Sequence, residues 1–220
     1  MRTRKIFPLF FALCFLFLFS VPALAAETPG AVKGQQTIVC KNVTKKKGAK
    51  NFNLDVKVTT SDGTPHGALS FKSDNKKVAK VTAAGRVDVN HIGTAHITVK
   101  AAATNTTAAA ETVVTIKVIP KTVRLNYVRA IMGKSLTASW KKGSGVSGYE
   151  VRWSRKKDMK KASVVDVPGA SVRSKTIRSL KVGKKYYVQV RAYKTVKKVK
   201  YYSKWSRKLS GVPRSPRTGY

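Results

Sequence analysis

Residues 186–193 alternate between two kinds of side chain with the two-residue period of a β-strand. The set that we expect to face a core is Tyr186, Val188, Val190 and Ala192. The opposite set, which we expect to form a cationic and aromatic outer surface, is Tyr187, Gln189, Arg191 and Tyr193. Alternation of this kind is typical of packed antiparallel sheets, an architecture that carries binding and spacing functions far more often than catalysis.

The N-terminus has the three-part layout of a secretory signal peptide. Basic residues within the first five positions precede an apolar run over residues 6–19, and Pro22 and small residues at 23–25 follow. This run is shorter than the ~20 apolar residues that a membrane-spanning helix needs. We therefore expect cleavage after Ala25 or Ala26, export from the cell, and no membrane span in the mature protein.

Cys40 would be the only cysteine of the mature chain, so no internal disulfide could form. Each domain must then be stable through its own apolar core. A lone cysteine more often behaves as a small apolar residue than as a functional thiol, and the sequence leaves both interpretations open.

The positive charge is concentrated in the second half of the chain. Residues 27–119 hold 14 basic and 6 acidic side chains, whereas residues 120–220 hold 28 basic and 3 acidic ones, a formal excess of 25. Such an excess attracts polyanions within a screening length of about 8 Å at physiological salt, and its self-repulsion destabilises the folded state. The sequence therefore predicts an anionic partner for the second half.

Four distinct sequence elements follow one another between residues 69 and 99. They are the polar run Ser73-Asp-Asn-Lys, the strand Val78-Ala-Lys-Val81, the strand Gly85-Arg-Val87, and the strand Gly93-Thr-Ala-His-Ile-Thr-Val99. This pattern resembles the group 2 bacterial immunoglobulin-like domain, which implies an antiparallel sandwich over residues 36–119. We expect Gly85 and Gly93 each to open a chain reversal.

The second half carries a different set of motifs. Trp140 is followed by the strand Tyr149-Glu-Val and by the corner Leu180-x-x-Gly183-x-x-Tyr186. These residues resemble the fibronectin type III domain over residues 120–212. The resemblance implies that all five are structural and that the Tyr186 hydroxyl bonds to main chain near the corner.

Together these features predict an all-β chain of two tandem immunoglobulin-like antiparallel β-sandwiches after a signal peptide. The predicted segments are a signal peptide at 1–25, a flexible entry at 26–35, the two domains, and a basic tail at 213–220. Pro120 is expected to make the junction stiff. The predicted strands are 52–58, 67–71 and 112–118 in the first domain, with a loop at 101–110, and 136–140, 149–154, 164–167, 174–177, 186–193 and 200–208 in the second.

The last hairpin, with its turn near Lys197, carries the candidate binding residues. The candidates for binding an anion or other ligand are Arg191, Lys194, Lys197, Lys198, Lys200, Tyr201, Lys204 and Trp205. The ending over residues 202–206 resembles the Trp-Ser-x-Trp-Ser ending of some fibronectin-like domains, which implies that Trp205 lies over Arg191. The alternative is structural: Trp205 would stabilise the sandwich, and the lysines would protect an edge strand from pairing.

No motif for catalysis, metal binding or a cofactor is present. The acidic residues are scattered, and His91 and His96 are five residues apart, which places them on opposite faces of an extended strand. We therefore predict no catalytic residue, no metal ligand, no cofactor and no enzymatic activity.

The order of the two domains resembles secreted surface proteins of Gram-positive gut bacteria. This resemblance implies an exported binding or spacer module at the cell surface, whose partner is an anionic cell-wall polymer or a host surface molecule. An adhesin that recognises host protein or glycan through loops at the sandwich ends is the alternative. Basic and aromatic residues also suit a nucleic acid, but the export signal argues against that partner.

Overall fold

The computed structural model describes residues 33–131 and 133–215. The predicted signal peptide, most of the predicted entry and most of the basic tail lie outside these residues. The described chain consists of strands and connecting segments, which confirms the predicted all-β sandwich class. Within that part of the chain, no helix has the length and apolar character needed to cross a membrane.

Nine strands form the first sandwich. They are β1 (Gln36–Cys40), β2 (Val43–Lys46), β3 (Phe52–Asn53), β4 (Val56–Thr60), β5 (Leu69–Ser73), β6 (Ala79–Val81), β7 (Arg86–Val89), β8 (Gly93–Ala101) and β9 (Ala110–Ile119). One sheet has the order β2-β9-β8-β5, a second has the order β3-β7-β6, and β1 pairs with β4. Alternate residues of β8 and β9, including Ile97, Val99 and Ile116, are fully buried between the sheets.

Eight strands form the second sandwich. They are β10 (Leu125–Ile131), β11 (Ser135–Trp140), β12 (Gly148–Ser154), β13 (Ser163–Pro168), β14 (Ser174–Ile177), β15 (Tyr186–Val196), β16 (Val199–Tyr202) and β17 (Leu209–Gly211). One sheet has the order β10-β11-β14, and the other has the order β13-β12-β15-β16, with β17 also pairing with β15. Its core is separate from the first and includes Leu136, Trp140, Tyr149 and Val188.

The alternation along β15 is confirmed on its inner face and only partly on its outer face. Val188, Val190 and Ala192 are fully buried, as predicted. Gln189 and Tyr193, which we expected on an exposed surface, are also buried, with 8% and 4% of their surface accessible. The segment after β16 folds back along β15 and covers Gln189, whose Nε2 donates to the carbonyl of Ser206. Tyr193 lies against Tyr202 and Lys200 of the paired strand β16, with 6.0 Å between the two tyrosine ring centroids.

Three predicted strand features differ from the structure. The run 200–208 is a strand only to Tyr202, and pairing resumes at β17. The run 52–58 divides into β3 and β4 in different sheets, because the Leu54 amide donates to the carbonyl of Gly85. Gly85 opens the predicted reversal between β6 and β7, but Gly93 instead begins β8 in the opposite sheet.

The beginning and end of the first sandwich are joined by a parallel strand pair. β2 pairs with β9 in parallel, from Val43 opposite Ile116 to Lys46 opposite Ile119. The amide of Lys47 then donates to the carbonyl of Ile119 at 2.8 Å. This pairing places residues 45–47 next to Pro120, where the chain leaves the first sandwich.

Candidate anion-binding surface

Two arginines and two aromatic rings form a layered arrangement on the outer face of the second sandwich. The guanidinium of Arg191 on β15 lies 3.9 Å from the ring centroid of Tyr202 and 4.4 Å from that of Trp205. The guanidinium of Arg152, on the neighbouring strand β12, lies 4.2 Å from the Trp205 centroid. The predicted contact between Trp205 and Arg191 is therefore confirmed, and Arg152 extends it. We call these four residues the arginine–aromatic stack.

Two serines hold the stack in place. The amides of Val190 and Ala192 donate to the hydroxyls of Ser206 and Ser203 at 3.1 and 3.0 Å. The amides of Ser206 and Ser203 donate in turn to the carbonyls of Val190 and Ala192. This exchange satisfies the outer hydrogen-bonding groups of β15 without a regular strand, and it fixes Trp205 over the arginines.

The charge of Arg191 is already compensated inside the protein. Its Nε and Nη2 lie 2.8 and 2.6 Å from Glu150 Oε2, and the Glu150 side chain is only 12% exposed. Arg152 donates to Gln189 Oε1. Burial, and then the nearby charge of Arg191, lower the pKa of Arg152. Arg191 and Trp205 therefore stabilise the second sandwich and are poorly placed to bind an external anion.

Lys200 is also neutralised by a carboxylate. Its Nζ lies 2.6 Å from Asp166 Oδ2 and 4.2 Å from the Tyr193 ring centroid. Burial alone would raise the pKa of Asp166, but hydrogen bonds from Lys200 and Tyr193 outweigh it and hold that pKa below its ordinary value. The third carboxylate in residues 120–215, Asp158, pairs with Lys160 at 3.6 Å. Every carboxylate described in the second sandwich is thus paired.

The remaining candidate binding residues lie in three different places: one contacts the first sandwich, three line cavities, and one is exposed at the hairpin turn. The Tyr201 hydroxyl lies 3.2 Å from the Thr94 hydroxyl on the first sandwich. Lys194 and Lys197 line a cavity of about 520 Å³, and Lys204 lines another of about 650 Å³. Lys198 is exposed at the hairpin turn and lines neither cavity.

Sequence reasoning missed the lysines that complete these cavities. They are Lys45, Lys46, Lys47 and Lys121 in the larger cavity, and Lys47 and Lys77 in the smaller. The run of three lysines before Gly48 was the available signal. It is far in sequence from the last hairpin, so the sequence did not indicate that the two segments lie close together in the fold. We call the eight lysines that line these cavities the lysine cleft: Lys45, Lys46, Lys47, Lys77, Lys121, Lys194, Lys197 and Lys204.

The five residues expected to be structural lie in or beside the second core. The rings of Trp140 and Tyr149 are 5.3 Å apart and both are buried. Leu180 is buried, and Gly183 has a φ of 71°, which suits glycine at the corner. The Tyr186 hydroxyl accepts a hydrogen bond from the Lys181 amide at 3.1 Å, so the predicted bond to main chain is confirmed.

Two histidines and the cysteine of the first sandwich have structural surroundings. His96 Nδ1 lies 2.9 Å from Asp74 Oδ2, and His91 Nδ1 lies 2.8 Å from the carbonyl of Lys77. Cys40 packs against the first core, and burial, followed by the charge of Asp55, raises the pKa of its thiol. Within residues 33–131 and 133–215 no three His, Cys, Asp or Glu residues are grouped so that they could hold a metal ion.

Two family models match the chain. The model described as intimin, immunoglobulin-like domain, matches residues 53–104, and the fibronectin type III domain model matches residues 120–211. No curated protein matches the chain.

Similar solved structures include one titled "Myokine structure", which is 22% identical over 45% of this chain and 99% of that chain, with a TM-score of 0.35. The FN1–FN3 domains of chicken CNTN1 are 16% identical over 79% of this chain and 68% of that chain, with a TM-score of 0.39. A Fn3-like protein from Clostridium thermocellum is 19% identical over 46% of this chain and 98% of that chain, with a TM-score of 0.35.

The family matches agree with the geometry described above. The first match covers the central strands of the first sandwich, and the second covers nearly all of the second sandwich with its tyrosine corner. Domains of these two kinds are typically binding or scaffold modules without catalytic activity. The chain therefore contains a bacterial immunoglobulin-like domain of the intimin type followed by a fibronectin type III domain.

Proposed function

We propose that this protein is an exported, non-enzymatic binding module of the bacterial cell surface, held to an anionic wall polymer by its basic fibronectin type III domain. In a Gram-positive envelope, teichoic acids are the abundant polyanions that would serve as this partner. The two domain families support a binding or spacer function, and the charge distribution supports a polyanionic partner.

One observation carries the proposal. Residues 120–220 hold 28 basic and 3 acidic side chains, and each of those 3 acids is already paired with a neighbouring cation. Internal ion pairs therefore leave most of the positive charge uncompensated. A folded domain is more stable when an external polyanion binds this charge, because self-repulsion then falls.

The proposal is tested by binding the purified chain to Gram-positive cell walls and extracting it with increasing salt. We expect near-complete release at about 1 M salt, where the screening length falls to about 3 Å. We also expect little binding to walls from which the anionic polymer has been removed chemically. Nuclease treatment of the walls should leave binding unchanged, which separates the wall polymer from adhering nucleic acid.

Retention that is unchanged in concentrated salt would contradict the proposal. So would equal binding to intact and polymer-stripped walls. Saturable binding to host matrix that survives moderate salt, without binding to walls, would favour the adhesin instead.

A further inference from the structure

Three adjoining cavities share lining residues at the junction of the two sandwiches. Lys47 lines all three, and Gly48 and Lys121 line two of them. Their volumes are about 650, 520 and 200 Å³. The three cavities therefore lie side by side around Lys47, and residues of both sandwiches line them.

The backbone directs lysine side chains across this junction. The backbone of Lys47 is held by its amide hydrogen bond to the carbonyl of Ile119, and a Cβ atom built on Gly145 would lie 3.3 Å from the Lys47 ammonium. A Cβ built on Gly48 would lie 3.6 Å from the Lys121 ammonium. The ammonium groups of Lys47 and Lys121 thus each lie against a glycine of another segment.

The lysine cleft has no internal counter-charge. No aspartate or glutamate lines any of the three cavities, and none of the eight cleft lysines takes part in an ion pair within the described chain. Bringing like charges together costs free energy that an anionic ligand would recover. A polyanion that binds in the cleft would therefore relieve repulsion that no internal carboxylate offsets.

The lining residues indicate the chemical class of ligand. The charged groups are lysines, with His91 beside them and no arginine, so they act as compact point charges on mobile stems rather than as bidentate forks. No Phe, Tyr or Trp lines the cavities, and the rings of Trp205 and Tyr202 are already covered by arginines. Single-stranded nucleic acids usually require such rings for base stacking.

We propose that the lysine cleft binds consecutive phosphate groups of a flexible polyol-phosphate chain. This inference deepens the proposed function, on which it rests, by assigning wall-polymer binding to one cleft that both sandwiches form. The negative charge of successive phosphates lies between Lys47, Lys121 and the lysines of the last hairpin. Binding depends on the charge and the spacing of the phosphates, and no base or sugar ring is recognised.

The test compares two charge-matched double variants of the full chain. Lys47→Gln with Lys121→Gln removes two charges from the cleft, and Lys156→Gln with Lys157→Gln removes two from an exposed loop elsewhere on the second sandwich. Affinity for inorganic tripolyphosphate and for purified polyol-phosphate polymer is measured by calorimetry at low salt. We expect a loss of about 10- to 30-fold for the cleft variant and less than about 3-fold for the control.

Three outcomes are decisive. Equal losses of affinity for both variants would show that the cleft is not the binding site, while leaving charge-based wall retention intact. Cleft-dependent binding of tripolyphosphate, without binding of the full chain to walls, would support the cleft and contradict the proposed function. Tighter binding of single-stranded DNA than of the polyol-phosphate polymer, with the same dependence on the cleft, would overturn the assigned ligand class.

Two further measurements keep the test independent of folding defects. Lys47→Arg with Lys121→Arg keeps both charges and should bind within about 3-fold of the unaltered chain. In the unaltered chain, tripolyphosphate should shift the amide NMR signals of Gly48 and Gly145. Shifts confined to residues outside the cleft would overturn the inference.

Discussion

At the scale of single residues, Trp205 shows how a residue that looks like a binding residue can be structural. Its ring contacts the guanidinium groups of Arg152 and Arg191, which come from adjacent strands. Arg191 is also held by Glu150. The ring thus covers two cations that would otherwise repel each other on the outer face of the sheet.

We expect Trp205→Ala to lower the free energy of unfolding by about 2 kcal/mol. Two cation–π contacts of about 0.5–1 kcal/mol each are lost, together with some burial. Trp205→Phe keeps an aromatic ring and should recover about half of this loss. Urea unfolding followed by tryptophan fluorescence measures the stability of both variants, since Trp140 and Trp153 remain in the same sandwich. A change below about 0.5 kcal/mol for the alanine variant would contradict the structural role.

At the scale of elements, the hairpin between β15 and β16 has an unfavourable turn sequence. Val196 pairs with Val199, so that only Lys197 and Lys198 form the loop. Both have positive φ values, 46° and 66°. Two-residue loops of this geometry favour Asn-Gly, because glycine has no Cβ and the short polar side chain of asparagine tolerates a positive φ, whereas a lysine side chain is strained there. The lysines are therefore kept at a cost in stability, which agrees with a role for charge at this end of the molecule.

Lys197→Asn with Lys198→Gly should raise the free energy of unfolding by about 1 kcal/mol, since relief of strain exceeds the entropic cost of glycine. Lys197→Gln with Lys198→Gln removes the same charges but keeps the strain, and it serves as the control in chemical denaturation. If the free energy of unfolding rises equally in both variants, the increase comes from relief of charge repulsion and not from the turn geometry.

At the scale of the whole molecule, repulsion between cations opposes folding. The formal net charge is +36, and the described carboxylates of the second sandwich already have partners. Attraction to a polyanion and self-repulsion are therefore two effects of the same charge distribution.

Raising the salt concentration from about 0.01 to 0.2 M should increase the melting temperature of the second sandwich by several degrees, because the screening length falls from about 30 to below 10 Å. Thermal unfolding followed by tryptophan fluorescence reports this sandwich alone, since all 3 tryptophans lie in it. An uncharged osmolyte at matched osmolality controls for general solvent effects. A melting temperature that is flat or falls over this range would show that repulsion is not limiting.

Local patterns were enough to predict several of the strands, and the family resemblance predicted the corner. Strand β14 was predicted with its observed bounds, and the inner face of β15 and the Tyr186 hydrogen bond followed from alternation and from family likeness. The burial of Gln189 was not predictable in this way, because it depends on a later segment that turns back. The same reason applies to Lys47 and Lys194, which are far apart in sequence and line one cavity only after both sandwiches have formed.

The parallel pairing of β2 with β9 has a mechanical consequence. A tether attached before the first sandwich and a load attached after it pull the two strands in opposite directions along their length. The hydrogen bonds between residues 43–46 and residues 116–119 are then loaded together, in shear, and cannot break one after another. We expect a domain built in this way to resist unfolding when its two ends are pulled apart.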